Sequence, residues 1–465
     1  MDGKSKKALI HIVGEENFTD NLIDLISYSK DASGHSHRPD AAVWPTTTEQ
    51  ISAILKLANK DRFPVVPRGA GTSLAGLAVP EKGGVILDLG RMNKIISVSV
   101  TDRLAVVQPG VVYADLERAL APHDFFFPPD PASGKVATLG GNVATNAGGI
   151  KGAKYGTTKD YVLSLQVVLP DGRVMRTGSK CMKSSSGYDL TKLFVGSEGT
   201  LGVVTEITLK INPKPSLSST AMATFEDLED AGRAVSEIMH SGILPSALEI
   251  VDQQTLIAIN QNIDLNLPEV EAILIAETDG HTREETQFQL NKVIEIFKKN
   301  KAATVKQADT KEEAEALWTA RKSAYAVMSR INNSLAVEDL SVPMSKVPNI
   351  LKVISDLAKK YDLKIPTVGH AGDGNLHPTI SFDSTNPDEV KRVEQASAEL
   401  FEKVIELGGT LTGEHGIGLA KAKFMHLEHD PVAMDVMRSI KKSFDPNNIL
   451  NPGKMALEVQ DGSQI

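Results

Sequence analysis

The sequence predicts an α+β fold with more than one domain. Short strands alternate with helical segments as far as residue 210, and longer strand–helix–strand units follow from Ala221. Between these regions lies INPKPSLSST, which is rich in proline, serine and threonine and indicates a boundary. With 465 residues, the chain is long enough for two or three hydrophobic cores. The predicted domains are 1–215, 216–425 and a C-terminal segment, 426–465.

Local patterns predict the elements of the first domain. Residues Glu49–Asn59, EQISAILKLAN, place apolar side chains at helical spacing after threonines that can cap a helix. A second helix is predicted in YADLERALAPH. Strands are predicted in FPVV, GGVILDLG, LAVVQPGVVY and VVTEITLKI.

The second domain is predicted to be an antiparallel sheet with helices on one face. Its first unit is AMATFEDLEDAGRAVSEIMHSGILPSALEIVD, and its second unit begins at EAILIAETDG and contains the helix ETQFQLNKVIEIFKKN. The tail is predicted to be helical and to end in the turn-rich FDPNNILNPGKM.

Composition excludes several classes of protein. A net charge of −9 argues against a nucleic-acid partner, which demands a basic face. The single cysteine, Cys181, excludes a disulfide within the chain and an Fe–S cluster held by this chain alone. No apolar run approaches the ~20 residues of a membrane span. The N-terminal segment resembles neither a secretion signal nor a mitochondrial presequence, so we expect a cytoplasmic protein.

Two glycine-rich stretches, 68–73 and 140–149, predict a dinucleotide site. Successive backbone N–H groups in such turns form concave nests that bind phosphate. A Rossmann fingerprint at Gly69-Ala-Gly71 would need a helix directly afterwards, but LAGLAVPEKGG follows instead. Two separated nests favour an extended dinucleotide such as FAD over NAD.

A histidine-rich pattern predicts a metal-dependent active site. His370-Ala-Gly-Asp-Gly-Asn-Leu-His377 is followed later by Gly413-Glu-His-Gly416. Glycines let the backbone turn tightly enough to bring these side chains together. Two imidazoles and a carboxylate suit Zn, Fe or Mn with positions left open for a substrate, and one histidine remains as a base. Each histidine taken alone is more typical of a turn residue with a solvated or core-packed ring; several in two glycine-rich segments favour a site. Asp373, in an Asp-Gly turn pair, is left out of the ligand set.

Combined, these motifs resemble a known family. Pro67–Ser73, Gly140–Asn142, Asn146–Gly149, Lys154–Gly156 and Gly196–Gly199, together with Pro129-Asp-Pro131, resemble the FAD-binding domain of the vanillyl-alcohol oxidase/p-cresol methylhydroxylase (PCMH) superfamily. The two histidine motifs and the closing Asn451-Pro-Gly453 resemble its D-2-hydroxyacid dehydrogenase branch, which includes D-lactate dehydrogenase and the catalytic polypeptide of glycolate oxidase.

The resemblance implies a role for each matching residue. His370, His377 and Glu414 would bind the metal, His415 would be the base, Asn375 a substrate contact and Arg321 the clamp for the substrate carboxylate. Relatives with covalent flavin can carry a histidine where Thr72 stands, so non-covalent FAD is expected. Glu198 and Gly202 would lie near the adenine half and Asn451 near the isoalloxazine. The implied FAD-binding residues are Pro67, Arg68, Gly69, Ala70, Gly71, Thr72, Ser73, Pro131, Thr138, Gly140, Gly141, Asn142, Thr145, Asn146, Gly148, Gly149, Tyr155, Gly156, Glu198, Gly202 and Asn451.

The implied reaction is oxidation of a short D-2-hydroxy acid, D-lactate above all, to the 2-oxo acid. The base takes the hydroxyl proton, the metal lowers the hydroxyl pKa, and flavin N5 accepts the hydride. Val337 stands at or near a position where dehydrogenases of longer diacids have a lysine, which disfavours 2-hydroxyglutarate. Electrons would pass to electron-transfer flavoprotein or another redox partner subunit, and an oligomer is possible.

Other functions remain open from sequence. The chain could be a glycolate oxidase subunit working with Fe–S partners, or a D-2-hydroxyglutarate dehydrogenase. It could also be a metal-dependent hydrolase or lyase, a non-catalytic flavin subunit, or a flavin reductase of the cell-wall precursor type that shares only the FAD domain.

Overall fold

The computed structural model describes residues 1–263 and 266–458, whose contacts divide into two units. The first unit comprises Met1–Gly148, Thr157–Lys214 and the chain from Glu414; the second comprises Gly149–Gly156 and Pro215–Gly413. The predicted domain bounds stay predictions. Residues 264 and 265 of the predicted second domain and 459–465 of the predicted tail lie outside the described residues.

The helices, in chain order, are α1 (Gly3–Val13), α2 (Leu22–Ser27), α3 (Thr48–Asp61), α4 (Tyr113–Leu120), α5 (Leu139–Thr145), α6 (Gly152–Tyr155), α7 (Leu190–Phe194), α8 (Leu228–His240), α9 (Gln253–Asn262), α10 (Arg283–Lys299), α11 (Lys311–Met328), α12 (Val347–Lys360), α13 (Pro387–Glu406), α14 (Met425–Glu428) and α15 (Pro431–Phe444). The predicted helices at 49–59, in YADLERALAPH and in ETQFQLNKVIEIFKKN correspond to α3, α4 and α10.

The strands are β1 (Phe18–Thr19), β2 (Ala41–Val43), β3 (Val65–Arg68), β4 (Val85–Asp88), β5 (Ile95–Ser99), β6 (Leu104–Val107), β7 (Phe125–Phe126), β8 (Val162–Val168), β9 (Val174–Gly178), β10 (Val203–Lys210), β11 (Asn212–Pro213), β12 (Leu217–Phe225), β13 (Ala247–Asp252), β14 (Ala272–Gly280), β15 (Thr304–Gln307), β16 (Ser334–Val337), β17 (Leu340–Ser341), β18 (Thr367–His370) and β19 (Asn375–Phe382).

Two sheets organise the first unit. One is mixed, with order β1-β2-β4-β3, and β4 is parallel to both β2 and β3; the other is antiparallel, with order β5-β6-β10-β8-β9. Helix α3 begins after Thr47, whose side chain accepts from the N–H of Gln50, as the threonine run predicts. Its apolar face, which includes Ile51 and Leu55, packs with Val65 and Leu87 in one buried core.

The stretch 140–149, predicted as a glycine-rich nest, is partly helical. Helix α5 occupies Leu139–Thr145, and the Thr138 side chain caps it by accepting from the N–H of Gly141. Glycine is required at 140 because a Cβ there would lie 2.6 Å from Cβ of Pro109. Close packing against Pro109 therefore offsets the low helix propensity of these glycines.

The second unit is an antiparallel sheet of order β15-β12-β14-β13-β18-β19-β16, with β17 also paired to β19. Helices α8, α10, α12 and α13 bury a large core against one face, as predicted. The structure adds a second layer that the sequence did not predict: Leu256 of α9 and Trp318 of α11 pack with Ile273 and Ile275 on the opposite face. No helix in the described part of the chain is long and apolar enough to cross a membrane.

Candidate active site

The histidine motif forms the end of a β-hairpin in the second unit. Strand β18 ends at His370, β19 begins at Asn375, and these two residues are paired, as are Val368 and His377. Since side chains alternate between faces along a strand, His370, Asn375 and His377 lie on one face. The two imidazole rings are 5.1 Å apart between centroids, with an angle of 82° between their planes.

The hairpin turn depends on glycine. Gly374 has φ +78°, and a Cβ there would overlap the carbonyl oxygen of Val342. Asp373 completes the turn, since its Oδ1 accepts from the N–H of Asn375 at 3.2 Å. This contact is typical of an Asx turn.

Glu249 is the buried partner of His370. It pairs with His370 in the register of β13 and β18, and it has no solvent exposure. Its Oε1 lies 2.7 Å from His370 Nδ1, and its Oε2 accepts from Arg321 Nε at 2.7 Å. In the tautomer that donates from Nδ1 to Glu249, Nε2 is the ring atom left to bind a metal.

Asp339 occupies the corresponding place beside His377. Its Oδ1 lies 3.6 Å from His377 Nδ1 and accepts from Asn375 Nδ2 at 2.6 Å, while its Oδ2 accepts from Thr412 Oγ1 at 2.5 Å. Asp339 is fully buried. A hydrogen bond between Nδ1 and a carboxylate, as His370 makes with Glu249, is the arrangement that orients metal-binding imidazoles. At His377 the carboxylate is close, at 3.6 Å, but outside hydrogen-bonding distance. Since the Asn375 amide N–H₂ is already engaged, a substrate contact would use its Oδ1.

The second histidine motif starts at a tightly packed glycine of the same unit. A Cβ on Gly413 would overlap Nδ2 of Asn375 and lie 2.8 Å from Oγ of Ser341. The next residues, Glu414 and His415, begin the last segment of the first unit. Within that unit, Glu414 packs on the second glycine-rich stretch, since a Cβ on Gly148 would lie 2.8 Å from its Oε2.

In the first unit, Arg68 closes β3 at the start of a glycine turn. Its guanidinium lies over the Tyr28 ring, 5.4 Å from the centroid, and Tyr28 donates to Asp88 Oδ2 at 2.6 Å. Burial lowers the pKa of Arg68 from its ordinary value, although the acidic groups Asp31 and Asp88 oppose that shift. A half-buried cation at the start of a glycine turn suits phosphate.

Three predicted flavin-binding residues carry buried polar atoms that lack a hydrogen-bond partner among residues 1–263 and 266–458. These atoms are Arg68 Nη1, Asn142 Nδ2 and Asn451 Oδ1. Buried polar groups without partners are costly, so their number at one predicted site indicates a ligand that satisfies them. Two donors and an acceptor fit FAD, which carries phosphate oxygens and ring N–H and carbonyl groups.

The remaining predicted cofactor residues are spread over both units. The residues that belong to the first unit are Pro67–Ser73, Pro131, Thr138, Gly140, Gly141, Asn142, Thr145, Asn146, Gly148, Glu198, Gly202 and Asn451, whereas Gly149, Tyr155 and Gly156 belong to the second. In the second unit, Tyr155 donates to Asp279 Oδ2 at 2.7 Å, and Lys154 pairs with the same carboxylate. Gly202 packs too closely on the core to carry a side chain, because a Cβ there would lie 2.5 Å from Val167 Cγ1.

Glu198 lies in the first unit with only 4% of its surface exposed. Its carboxylate oxygens accept from the N–H groups of Ile417 and Gly418, at 2.6 and 2.9 Å. Burial raises its pKa to about 7, and the two N–H groups and Lys454 oppose that shift. The predicted position near the adenine stays a prediction.

Two family models cover most of the chain. The FAD binding domain matches residues 39–178, and the C-terminal domain of FAD linked oxidases matches residues 214–455. The chain belongs to the FAD-linked oxidase family. Its FAD-binding domain supports the predicted cofactor.

Curated relatives narrow the family. The glycolate oxidase subunit GlcD of Bacillus subtilis is 47% identical over 97% of this chain and 96% of its own length. A D-lactate dehydrogenase of Anaerostipes hadrus is 36% identical over 98% of this chain and 95% of its own. The protein is thus an FAD-linked oxidoreductase of the GlcD/D-lactate dehydrogenase family. A solved p-cresol methylhydroxylase covers 97% of the chain and 96% of its own with a TM-score of 0.83 at 22% identity, which confirms the PCMH-type fold.

Sequence reasoning missed Glu249 and Asp339. Both had a weak signal: a lone carboxylate inside the apolar strand ALEIVD, and a carboxylate at the start of DLSVP. A charged residue is rarely buried unless it is paired, so a carboxylate in an apolar strand is a signal that could have indicated a buried partner. The partner of Glu249 lies 121 residues away.

Proposed function

We propose that the protein oxidises a short 2-hydroxy acid to the 2-oxo acid, with FAD as the hydride acceptor. D-Lactate is the first candidate substrate. The observation that carries this proposal is the buried carboxylate of Glu249, which contacts His370 on one side and Arg321 on the other. It combines an oriented imidazole with a guanidinium on one sheet face. A 2-hydroxy acid presents a hydroxyl and a carboxylate on adjacent carbons. The imidazole would serve the hydroxyl through a bound metal, and the guanidinium would bind the carboxylate.

His370 and His377 are proposed as metal ligands through Nε2, with Glu414 as the third. Support comes from the carboxylate beside each Nδ1 and from the 5.1 Å separation of the rings. Glu414 follows Gly413, which packs against Asn375 beside the histidines. A divalent Zn, Fe or Mn ion would lower the pKa of the substrate hydroxyl.

His415 is proposed as the base that takes the hydroxyl proton. It follows the third ligand directly in the chain, so a ligand at 414 constrains where the next imidazole lies. A neutral imidazole within ~3 Å of the hydroxyl accepts the proton without a change of charge on the metal ligands.

Arg321 is proposed to bind the substrate carboxylate. Its Nε is engaged by Glu249, which fixes the plane of the guanidinium, and its side chain is 13% exposed. The Nη edge is the part of such a fork that binds a carboxylate in two hydrogen bonds. Anchoring by Glu249 reduces the entropy lost when substrate binds.

The cofactor is proposed to be bound without a covalent link. Thr72 offers no imidazole for attachment in the first glycine turn, and the buried atoms of Arg68, Asn142 and Asn451 offer hydrogen bonds instead. When bound, the flavin accepts the hydride and later releases two electrons. We propose electron-transfer flavoprotein or another redox partner subunit as the acceptor.

Glycolate is the second candidate substrate. The 47% identity to a glycolate oxidase subunit favours it, and the same hydroxyl and carboxylate contacts would serve it. Within that alternative, the chain would work with partner subunits that carry Fe–S clusters.

The test is anaerobic mixing of the purified, metal-replete protein with D-lactate, L-lactate, glycolate and D-2-hydroxyglutarate while the flavin absorbance is followed. Bleaching by D-lactate supports the proposal, and bleaching by glycolate alone selects the alternative. Absence of bleaching by all four rejects a 2-hydroxyacid dehydrogenase. The variant His415→Ala should retain FAD, and its rate of flavin reduction should fall by ~100-fold or more. The control His426→Ala, at an exposed histidine of the same unit, should reduce flavin at the wild-type rate.

A further inference from the structure

Glu198 connects three separate segments of the first unit. Its backbone N–H donates to the carbonyl oxygen of Ala144 in α5 at 2.9 Å, and its own carbonyl oxygen accepts from Asn451 Nδ2 at 2.7 Å. Its carboxylate accepts from the N–H groups of Ile417 and Gly418. The two glycine-rich stretches, 68–73 and 140–149, are here called the flavin cradle. Glu198 thus ties the second of these stretches to the segment that follows His415.

That segment is also fixed from its other side. The N–H groups of Leu419 and Ala420 donate to the carbonyl oxygen of Ala75, at 2.9 and 3.2 Å. Ala75 follows the first glycine turn. Space is tight throughout: a Cβ on Gly416 would lie 2.8 Å from Glu198 Oε1. Residues 416–420 are therefore held between Glu198 on one side and Ala75, next to the first glycine-rich stretch, on the other.

We infer that Glu198 is a positioning residue which holds His415 in place relative to the flavin cradle. The inference rests on the proposed function, in which His415 is the base. His415 lies in a glycine-flanked turn outside the helices and strands, and the two backbone hydrogen bonds to Glu198 fix the chain directly after it. Misplacement of a base by ~1 Å can cost a hundredfold in rate.

The carboxylate is required because both of its contacts are donors. Above its pKa of about 7, where the flavin assays are made, the carboxylate of Glu198 accepts at both oxygens, whereas a glutamine amide offers one acceptor and one N–H₂. In Glu198→Gln the N–H₂ would face a backbone N–H, so one of the two bonds to the segment is lost. In Glu198→Asp the charge stays, but the side chain is one methylene too short to reach both groups.

The experiment compares wild type, Glu198→Gln, His415→Ala and the double variant by anaerobic flavin reduction with the acid that bleaches wild type. Glu206→Gln is the matched control, since it removes a carboxylate of the same unit that pairs with the exposed Arg176. We expect Glu198→Gln to lower the reduction rate constant by about tenfold to a hundredfold, with substrate half-saturation and FAD affinity within about twofold. In the His415→Ala background it should have no further effect, since both changes disable one base.

A direct contact of Glu198 with FAD, or a merely structural role, gives a different result. Either would lower FAD affinity or the folded fraction, and either would add its full effect to that of His415→Ala. That result, or an unchanged rate constant in Glu198→Gln, overturns the inference. Should Glu198→Gln not fold, Glu198→Asp is measured in the same way, with the same two outcomes.

Amide hydrogen exchange provides a readout that needs no substrate. Exchange at Ile417 and Gly418 should be faster in Glu198→Gln than in wild type or Glu206→Gln, with or without FAD. If no acid bleaches wild type, the proposed function fails. Amide exchange alone then tests whether the Glu198 carboxylate holds the N–H groups of Ile417 and Gly418. Unchanged exchange then overturns the inference, and faster exchange supports the positioning contact.

Discussion

Oε1 of Glu249 lies 2.7 Å from Nδ1 of His370, and the two residues are opposite each other in the pairing of β13 with β18. The pair lies on the α11 face of the sheet, where Arg321 contacts the other carboxylate oxygen at 2.7 Å. One buried charge therefore orients both a proposed metal ligand and the proposed carboxylate clamp.

Replacement of Glu249 by Gln should weaken both functions at once. A glutamine cannot accept from His370 and Arg321 together, so the imidazole loses its fixed tautomer. We expect metal affinity to fall by about 10- to 100-fold, as for other partners of metal-binding histidines. The measurement is metal content after dialysis against a graded chelator. Glu269→Gln, an exposed carboxylate of the same unit, should match wild type; equal metal retention in Glu249→Gln would show that Glu249 does not orient a ligand.

Removal of the metal and removal of His370 should have the same consequence. Chelation of wild type should abolish flavin reduction while FAD stays bound, and added Zn²⁺, Mn²⁺ or Fe²⁺ should restore it. In His370→Ala, metal content and reduction should both fall, and addition of metal should not restore activity, because a ligand is missing. Metal content per chain, measured by atomic spectroscopy, checks this prediction. Unchanged content in His370→Ala would assign the ligands elsewhere.

Glu198 should make stability depend on pH between about 4.5 and 7. Burial raises its pKa from 4.5 to about 7, so across this window the folded state binds a proton that the unfolded state has released. Its contribution is fully present below pH 4.5 and is lost as pH rises through 7, by about 1.4 kcal/mol per unit. Urea unfolding of wild type and Glu198→Gln should give free energies whose difference changes with that slope. Buried Asp252, also with a raised pKa, is common to both proteins and cancels; parallel curves would contradict the prediction.

Local patterns predicted the elements that depend on neighbouring residues. The threonine cap and apolar spacing of α3, and the strands around the two units of the second domain, needed no information from distant residues. The α+β class followed from the same local patterns, whereas the FAD-binding domain was predicted from the resemblance of the glycine-rich motifs to a known family.

What the sequence could not predict depends on contacts between distant segments. Glu249 meets His370 only because β13 pairs with β18, and no local pattern sets that register. Similarly, the glycines of α5 predict a loop, but Gly140 is needed for close packing on Pro109 within a helix that Thr138 caps. The helical layer of α9 and α11 was missed because the sheet buries apolar residues on both faces. The strands therefore lack the alternation of apolar and polar residues that would show which faces are covered by helices.

Gly374→Ala should destabilise the histidine hairpin. The residue has φ +78°, and a Cβ would overlap the carbonyl oxygen of Val342, so strain and collision add. Gly242→Ala is the matched control: its φ is +82°, but nothing lies within 4 Å of its Cβ. We expect about 1 kcal/mol of destabilisation for the control and about 3 kcal/mol or more for Gly374→Ala, measured by urea unfolding. Equal losses would show that the turn can move away from Val342.

Val337→Lys should shift the substrate preference towards a diacid. In the pairing of β16 with β19, Val337 is opposite Thr379, and Thr379 lies on the same face as His377. A cation there would meet the distal carboxylate of D-2-hydroxyglutarate, and a charge-assisted hydrogen bond contributes about 1.5–3 kcal/mol. The ratio of flavin reduction efficiency with D-2-hydroxyglutarate to that with D-lactate should rise by roughly tenfold or more. Val337→Met adds length without charge and should leave the ratio unchanged. A ratio in Val337→Lys equal to that of wild type, with D-lactate reduction intact, would place the distal end of the substrate away from β16.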